Sequence, residues 1–167
     1  MKKIINIFNN EIDLTDKWLG CGIVDKSIDV PLGILIKTNN FVAVQDIETP
    51  IPAFIVITSK KHIKSILDLN KEEYDELMDL TYKIRKAMSI LEDIKDVSII
   101  QKELAPHFHL WLFPRYDWMI NNELIGLGDG RLSDISKIID YSRKNHKNDE
   151  YINKTKEYFE VLKEELN

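Results

Sequence analysis

Short apolar runs punctuate the first two thirds of the chain, separated by polar links. Such runs, rich in Ile, Val and Phe, predict β-strands, because branched and aromatic side chains favour extended backbone. Four of them stand at residues 33–37, 41–46, 53–58 and 97–101. The first three follow one another with tight links, which predicts an antiparallel meander.

A helical spacing of three and four begins after Asn70. This residue suits the N-cap position, because Glu73 stands three residues further on, as in a capping box. Apolar residues at that spacing predict one amphipathic helix over residues 71–92. Two more helices are predicted, over residues 133–143 and 149–166.

Glycine and proline predict where other elements end. Residues 14–20 have the pattern of a helical turn that Gly20 ends, and Pro114 is expected to end the strand before it. Residues 126–130 contain three glycines but lack the Lys-Ser/Thr ending of a phosphate-binding P-loop. We expect this run to be a connector.

The strand predicted around residues 107–113 carries unusual side chains. Successive side chains of a strand point to opposite faces, so one face should present His107, His109 and Trp111. An open face of an ordinary strand would carry charged residues, Ser or Thr. Two imidazoles beside an indole therefore indicate a candidate site. The other face is apolar, with Phe108, Leu110 and Leu112.

Composition and charge argue against some classes of function, namely extended nucleic-acid binding and insertion into a membrane. The chain has 167 residues, 44% hydrophobic and 31% charged, which is typical of one globular domain with its own core. The net charge is −5 and no Lys/Arg cluster has aromatic residues between its members, so we expect no extended nucleic-acid binding. The apolar runs are too short for a signal peptide or a membrane span. The expected location is the cytosol, with no membrane partner.

Three interpretations of the two histidines stay open. They can be half-buried surface residues that bond to their neighbours. They can be two ligands of a metal ion, with Glu103 as a third. One imidazole can also attack phosphorus, provided that its other nitrogen bonds to a fixed acceptor. The single cysteine, Cys21, predicts no intrachain disulfide and no cysteine-based zinc site.

The chain resembles the histidine-triad superfamily of nucleotide hydrolases and transferases. That family carries His-x-His-x-His, often followed by Pro-Arg, and residues 107–115 read HFHLWLFPR. The resemblance extends upstream in register. Asp46 and Ile47 follow the second strand, as the family's ribose-binding Asp does, and His62 ends a Lys-Lys-His segment. The match covers roughly residues 20–116.

The resemblance implies a role for each matching residue. His109 would be the nucleophile that takes the nucleotidyl group, and His107 would contact the phosphate. Asp46 would bond the ribose hydroxyls, with Ile47 near the base. His62 would support the site from behind. The resemblance also implies a homodimer, a nucleoside phosphate as the small-molecule partner, and neither a cofactor nor a metal for the histidine step.

The chain departs from the family pattern at three places. Trp111 stands where the third histidine is expected, and its N–H can only donate. Phe54 stands where hydrolase members carry a histidine. The Gly/Ser/Gln-rich segment before the motif, which touches the phosphates in the family, is shortened to residues 101–106. It has no Ser or Gly to protonate a leaving group or to offer backbone N–H groups, and Lys102 and Glu103 are the only obvious substitutes.

Two functions follow from this resemblance and its departures. The first is a hydrolase or nucleotidyl transferase that acts on a nucleoside phosphate ester, anhydride or phosphoramidate through a covalent His109 intermediate. The second is a non-catalytic nucleotide-binding relative, in which Trp111 stacks or fills space. A metal site on the histidines is the third alternative.

The fold class predicted is α+β and HIT-like. We expect an antiparallel sheet of about five strands, packed by one long helix. Residues 1–120 would form the HIT-like domain, and residues 121–167 a helical C-terminal extension packed on it.

Overall fold

Seven strands, five α-helices and one short 3-10 helix, Ile66–Asp68, are found in the computed structural model, which describes residues 3–103, 105–120 and 135–167. The strands are β1 Lys3–Ile5, β2 Glu11–Asp13, β3 Ile34–Lys37, β4 Phe41–Gln45, β5 Ile55–Ser59, β6 Asp96–Gln101 and β7 His109–Arg115. The helices are α1 Leu19–Val24, α2 Lys71–Met88, α3 Asp117–Ile120, α4 Ile135–Asn145 and α5 Asp149–Leu166.

The main sheet has five antiparallel strands in the order β3-β4-β5-β7-β6. The predicted α+β class, strand number and meander are therefore confirmed. Strand β7 lies between β5 and β6, with Thr58 opposite His109 and Val56 opposite Trp111. Strands β1 and β2 form a separate hairpin.

One face of the sheet packs against α2 and α5. Strand β7 begins at His109 and sends Leu110 and Leu112 into this core, and Phe108, just before the strand, joins them as the alternation predicts. Helix α5 adds Phe159 and Leu162, both fully buried. The described part of the C-terminal segment thus shares the core of the sheet, and the division of the chain at residue 120 stays a prediction.

Helix α2 begins at the predicted cap. The Asn70 side chain accepts the Glu73 backbone N–H at 2.9 Å, and the Glu73 carboxylate accepts the Asn70 N–H at 3.0 Å. The helix ends at Met88, earlier than residue 92. The backbone N–H of Leu91 bonds to the Met88 carbonyl three residues back, so the chain leaves the α-helical pattern there.

The opposite face of the sheet is covered by α1 and α4. Helix α1 packs Ile23 on Val42 and Val44 of β4. Helix α4 packs Ile138 with Phe54 and Phe113 in a second apolar cluster. A cavity remains between these two helices and the sheet.

Two predicted ends are wrong, each because of a neighbouring element in the fold. Gly20 lies inside α1, because the helix needs a residue without a side chain where it meets His107. Pro114 lies inside β7, which ends at Arg115. Pairing of β7 with β5 stops at Leu112, and proline is tolerated where a strand has a neighbour on one side only.

The predicted start of the helix at Ser133 and the glycine-rich run at 126–130 lie outside the described residues. The last helix, Asp149–Leu166, has the predicted bounds. None of the described helices has both the length and the apolar character that crossing a membrane requires.

Candidate functional site

The cavity between α1, α4 and the sheet has a volume of about 250 Å³. Strand β7 contributes side chains from its polar face, and the turn after β4 and the two helices close the other sides. Its apolar wall includes Trp18, Leu19, Ile23, Val44, Ile47, Val56, Trp111 and Ile139. Its polar groups are those of Asp46, Glu48, Thr58, His107, His109 and Arg143.

His109 lines this cavity, and one of its ring nitrogens bonds to the backbone. Its Nδ1 lies 3.0 Å from the carbonyl oxygen of His107. A carbonyl oxygen can only accept, so Nδ1 carries the hydrogen and donates it. The neutral ring therefore has its lone pair on Nε2. This is the state that the sequence argument requires of a nucleophile.

His107 uses both of its ring nitrogens within the protein. The ring is 5% exposed, and its Nε2 donates to the Ser59 carbonyl oxygen at 2.7 Å. The lone pair is therefore on Nδ1, which lies 3.2 Å from Cys21 Sγ and 3.2 Å from His62 Nδ1. Burial lowers the pKa of His107, and the bond to Ser59 opposes that effect only in part.

Cys21, His62 and His107 form a triangle of metal-ligating atoms. Cys21 Sγ is 3.1 Å from His62 Nδ1, which closes the triangle. Zinc binds sulfur at about 2.3 Å and nitrogen at about 2.0 Å, so tetrahedral ligand atoms stand about 3.4–3.6 Å apart. Among the described residues, this is the one set of three side chains with metal-site spacing.

The expectation of no cysteine-based zinc site stays a prediction, but its premise was incomplete. It relied on the number of cysteines, whereas the fold supplies two histidines to the single cysteine. Cys21 stands 41 residues before His62 and 86 before His107. No spacing rule for local motifs reaches that far, which is why the sequence argument missed the group.

Helix α1 lies directly on the His107 ring. A Cβ atom at Gly20 would stand 2.7 Å from His107 Cδ2 and 2.9 Å from Thr58 Oγ1. Both distances are shorter than real contacts of a Cβ atom. Gly20 therefore permits the close approach that places Cys21 beside the histidines.

Asp46 lines the cavity from the turn after β4. One carboxylate oxygen, Oδ1, accepts the backbone N–H groups of Glu48 at 3.1 Å and Thr49 at 2.8 Å. Asp46 therefore caps its own turn and also faces the cavity. Burial raises the pKa of the Asp46 carboxyl, and the positive charge of Arg143 is the main influence that lowers it.

Arg143 reaches this turn from α4. Its Nε donates to Thr49 Oγ1 at 3.2 Å, and a terminal nitrogen lies 3.4 Å from a Glu48 carboxylate oxygen. The sequence argument did not identify Arg143, because it lies outside the region of resemblance. Trp18, at the rim of the cavity, was also missed.

Trp111 stands in the cavity wall between two rings. The Phe54 ring meets it edge to face with centroids 5.4 Å apart, and the His109 ring is 5.7 Å away. The Lys102 ammonium lies 5.4 Å from the centre of the indole. The residue in place of a third histidine therefore forms part of an aromatic wall.

The remaining predicted residues divide between the cavity and its surroundings. Ile47 is buried in the cavity wall. His62 is exposed and contacts Cys21 and His107, behind the cavity. Glu103 accepts the backbone N–H of Ile66 at 3.3 Å and is absent from the cavity wall. The structure therefore groups His107 with Cys21 and His62, and not with Glu103.

A family model of the HIT domain matches residues 29–118 of this chain. A search of curated proteins finds no match. The matched range contains β3 to β7, the turn at Asp46, His107 before β7 and His109 at its start.

Several solved structures resemble the fold. A zinc-bound histidine triad family protein from Mycobacterium smegmatis is 16% identical, with a TM-score of 0.57, over 87% of this chain and 90% of that one. A HIT-like protein from Bartonella henselae is 14% identical, with a TM-score of 0.57, over 87% and 92%. A hypothetical histidine triad nucleotide-binding protein from Sulfolobus tokodaii is 15% identical, with a TM-score of 0.56, over 89% and 91%. At these identities the likeness concerns the fold.

Proposed function

The chain belongs to the HIT domain family, and on that premise we propose that it is a nucleotide hydrolase or nucleotidyl transferase. Its substrate would be a nucleoside phosphate ester, anhydride or phosphoramidate. The observation that carries the proposal is the bond from His109 Nδ1 to the His107 carbonyl, which leaves Nε2 with its lone pair in a cavity.

The reaction would proceed in two displacements at the α-phosphorus. In the first, the lone pair of His109 Nε2 forms a bond to phosphorus. The leaving group departs with the electron pair of its own bond and takes a proton from water. The ring becomes a nucleotidyl-imidazolium, whose charge is stabilised by the Nδ1–H bond to the His107 carbonyl.

The second displacement would release the nucleotide. Water or another acceptor attacks phosphorus on the intermediate, and the bond between phosphorus and Nε2 breaks. Its electron pair returns to Nε2, and the acceptor loses its proton to solvent. His109 is thereby restored to the neutral form, with the same hydrogen on Nδ1.

The cavity offers matching groups to the rest of a nucleoside. The second oxygen of the Asp46 carboxylate would accept the ribose hydroxyls, because Oδ1 is used by the turn. Ile47, Leu19 and the half-exposed indole of Trp18 would bound the base. Trp111 would close the cavity beside the phosphate, where a smaller imidazole stands in relatives with three histidines.

We further propose that Cys21, His62 and His107 hold a zinc ion. The triangle of their ligand atoms supports this, and one similar structure is described as zinc-bound. Zinc would supply a cross-link between α1, the segment after β5 and the start of β7. His107 would then act by positioning, because its carbonyl holds the His109 ring while its own nitrogens are engaged.

Metal analysis tests the zinc site directly. We expect about one equivalent of zinc in the purified protein. The Cys21→Ala variant should lose it, and Ser27→Ala, a polar residue just beyond the same helix, should keep it. Equal zinc content in the Cys21→Ala variant would contradict the proposal.

A second candidate function is nucleotide binding without turnover. Trp111 and Phe54 favour it, since they replace two polar positions of the family with a packed aromatic pair. Glu103 also favours it, because it bonds to Ile66 and does not reach the cavity to protonate a leaving group.

Turnover assays separate the two candidates. The protein is incubated with adenosine phosphoramidate and with dinucleoside polyphosphates, and the release of mononucleotide is followed. Turnover by the wild type that disappears in His109→Ala supports the enzyme. Binding by calorimetry without turnover supports the binding protein. Turnover that survives in His109→Ala contradicts the proposed mechanism.

We also propose a cytosolic homodimer. The strand β6 ends the sheet among the described strands, and Ile99 on it is 55% exposed. An uncovered edge strand offers unpaired backbone groups to a second copy. Light scattering should give twice the chain mass for the wild type. For Ile99→Asp the measured mass should fall to that of the monomer. A monomeric wild type would contradict the proposal.

A further inference from the structure

The turn that carries Asp46 is held from outside the matched family region. Arg143 lies on α4, 94 residues after its partner Thr49. Its Nε bonds to Thr49, and its terminal nitrogen pairs with Glu48. Thr49 and Glu48 are also the two residues whose backbone N–H groups donate to Asp46 Oδ1. One side chain of the C-terminal segment therefore ties down the turn that orients the carboxylate.

Charge around this turn is balanced by the same side chain. Asp46 and Glu48 are both acidic and both line the cavity. Lys147 is also near the charges of Glu48 and Asp46. Its ammonium donates instead to the backbone carbonyls of Ile5 and Asn6, at 3.2 and 3.0 Å. Among the described residues of the cavity wall, Arg143 is the one Lys or Arg.

From this arrangement we propose that Arg143 is a positioning residue for ribose recognition. It holds the 46–49 turn and its carboxylate in the geometry that accepts the 2′ and 3′ hydroxyls, so that helix α4 sets the preference for ribonucleotides. This inference rests on the proposed function, because it assigns the ribose to Asp46.

The alternative role for an arginine in a nucleotide cavity is direct contact with phosphate. The contacts of Arg143 favour positioning, since its nitrogens bond on the side of the turn and pair with Glu48. The two roles differ in a measurable way. A positioning residue for ribose affects only ligands that have the hydroxyls, whereas a phosphate contact affects every nucleotide equally.

The experiment compares matched ligands by calorimetry. The four ribonucleoside 5′-monophosphates are first titrated into the wild-type protein, and the tightest is paired with its 2′,3′-dideoxy counterpart. In Arg143→Gln we expect the ribonucleotide to bind about tenfold more weakly, the scale of one hydrogen bond to a charged group. The affinity for the dideoxy nucleotide should change by less than about twofold.

Three further variants keep the result interpretable. Arg143→Lys restores the positive charge and should recover part of the ribonucleotide affinity. In an Asp46→Asn background, Arg143→Gln should have no further selective effect, because the two residues act as one unit. Lys144→Gln, an exposed change on the same helix, should bind like the wild type. Thermal unfolding of each variant verifies that it is folded.

The outcomes separate this inference from the function on which it rests. Equal weakening of both ligands in Arg143→Gln, or no weakening of either, overturns the role of Arg143 while nucleotide binding stands. Failure of the wild type to bind any of the nucleotides overturns the proposed function and the inference together.

Discussion

The rings of Phe54 and Trp111 meet edge to face, with centroids 5.4 Å apart and planes at 89°. These are the two positions at which the chain replaces an expected histidine with an aromatic residue. Because the two rings are in contact, the two substitutions form one packed aromatic pair and are not two independent losses of a histidine. The second cluster of the core continues from this pair through Phe113, which also meets Phe54 edge to face.

We predict that Phe54→Leu and Trp111→Leu are not additive. Each removes the partner of the other, so the double variant should retain about 0.5–1.5 kcal/mol more unfolding free energy than the sum of the single losses implies. Urea unfolding of the four proteins measures this. As a control, Phe54→Leu with Tyr82→Leu should be additive, because Tyr82 is exposed on α2. Additivity at the Phe54–Trp111 pair would show that the ring contact is energetically unimportant.

Gly20→Ala should separate helix α1 from the His107 ring. The added methyl group would stand 2.7 Å from Cδ2, so either the ring or the helix must move. We expect at least about a tenfold loss of zinc affinity, comparable to the loss of an orienting neighbour of a ligand. Competition with a chromophoric chelator measures it.

Gly22→Ala is the matched control on the same helix. Its methyl group would meet the end of the Ile28 side chain and not the histidines. Stability should fall, but the zinc affinity should stay near that of the wild type. If both variants bind zinc equally well, the contact between α1 and His107 does not hold the site.

His146 should make the stability depend on pH. The ring is 7% exposed and stacks on Tyr151 at 3.7 Å, and among the described residues its Nδ1 has no hydrogen-bond partner. Burial lowers its pKa from 6.5 to about 4. The folded protein therefore keeps the ring neutral, while the unfolded chain binds a proton below pH 6.5. The contribution of the neutral His146 ring to the free energy of unfolding is complete above pH 6.5, and it is lost as the pH falls towards 4.

Unfolding free energies of wild type and His146→Phe, measured from pH 7.5 to 4.5, test this prediction. The difference between the two should change by about 2.5 kcal/mol across that range, because between pH 6.5 and 4.5 the unfolded chain binds a proton that the folded protein does not. Tyr141→Phe, which keeps the histidine, should follow the wild-type profile. Parallel profiles for wild type and His146→Phe would contradict the assignment to His146.

Phe159→Ala should show that α5 is part of the core of the sheet. The ring is fully buried in the cluster that α2 and β7 share, so its removal should cost about 3–5 kcal/mol. Glu160→Ala, exposed on the same helix, should cost less than about 0.5 kcal/mol. Chemical unfolding measures both. A small loss for Phe159→Ala would mean that the C-terminal helix is a separate unit.

Local sequence signals predicted those parts of the molecule that depend on near neighbours. The Asn70 cap depends on Glu73, three residues away, and the faces of β7 follow from alternation alone. The bond from His109 to a strand carbonyl was likewise expected from the requirements of a nucleophile.

The parts that were missed depend on tertiary placement. Cys21 reaches the histidines only because α1 packs on β7 at a glycine, and Arg143 reaches the Asp46 turn only because α4 covers the sheet. The end of α1 was also missed, because the reason for Gly20 is a neighbour in space and not a helix terminus. Periodicity along the chain carries no information on such contacts.

A covalent adduct on His109 is the intermediate that the proposed mechanism requires, and its detection is the decisive measurement. The protein is mixed with adenosine phosphoramidate, quenched in base because phosphorus–imidazole bonds are labile in acid, and its peptides are analysed by mass spectrometry. The account predicts one nucleotidyl group on His109 in the wild type and none in His109→Ala, which should keep its thermal unfolding midpoint. An adduct on another residue, or turnover that continues unchanged in His109→Ala, would contradict it.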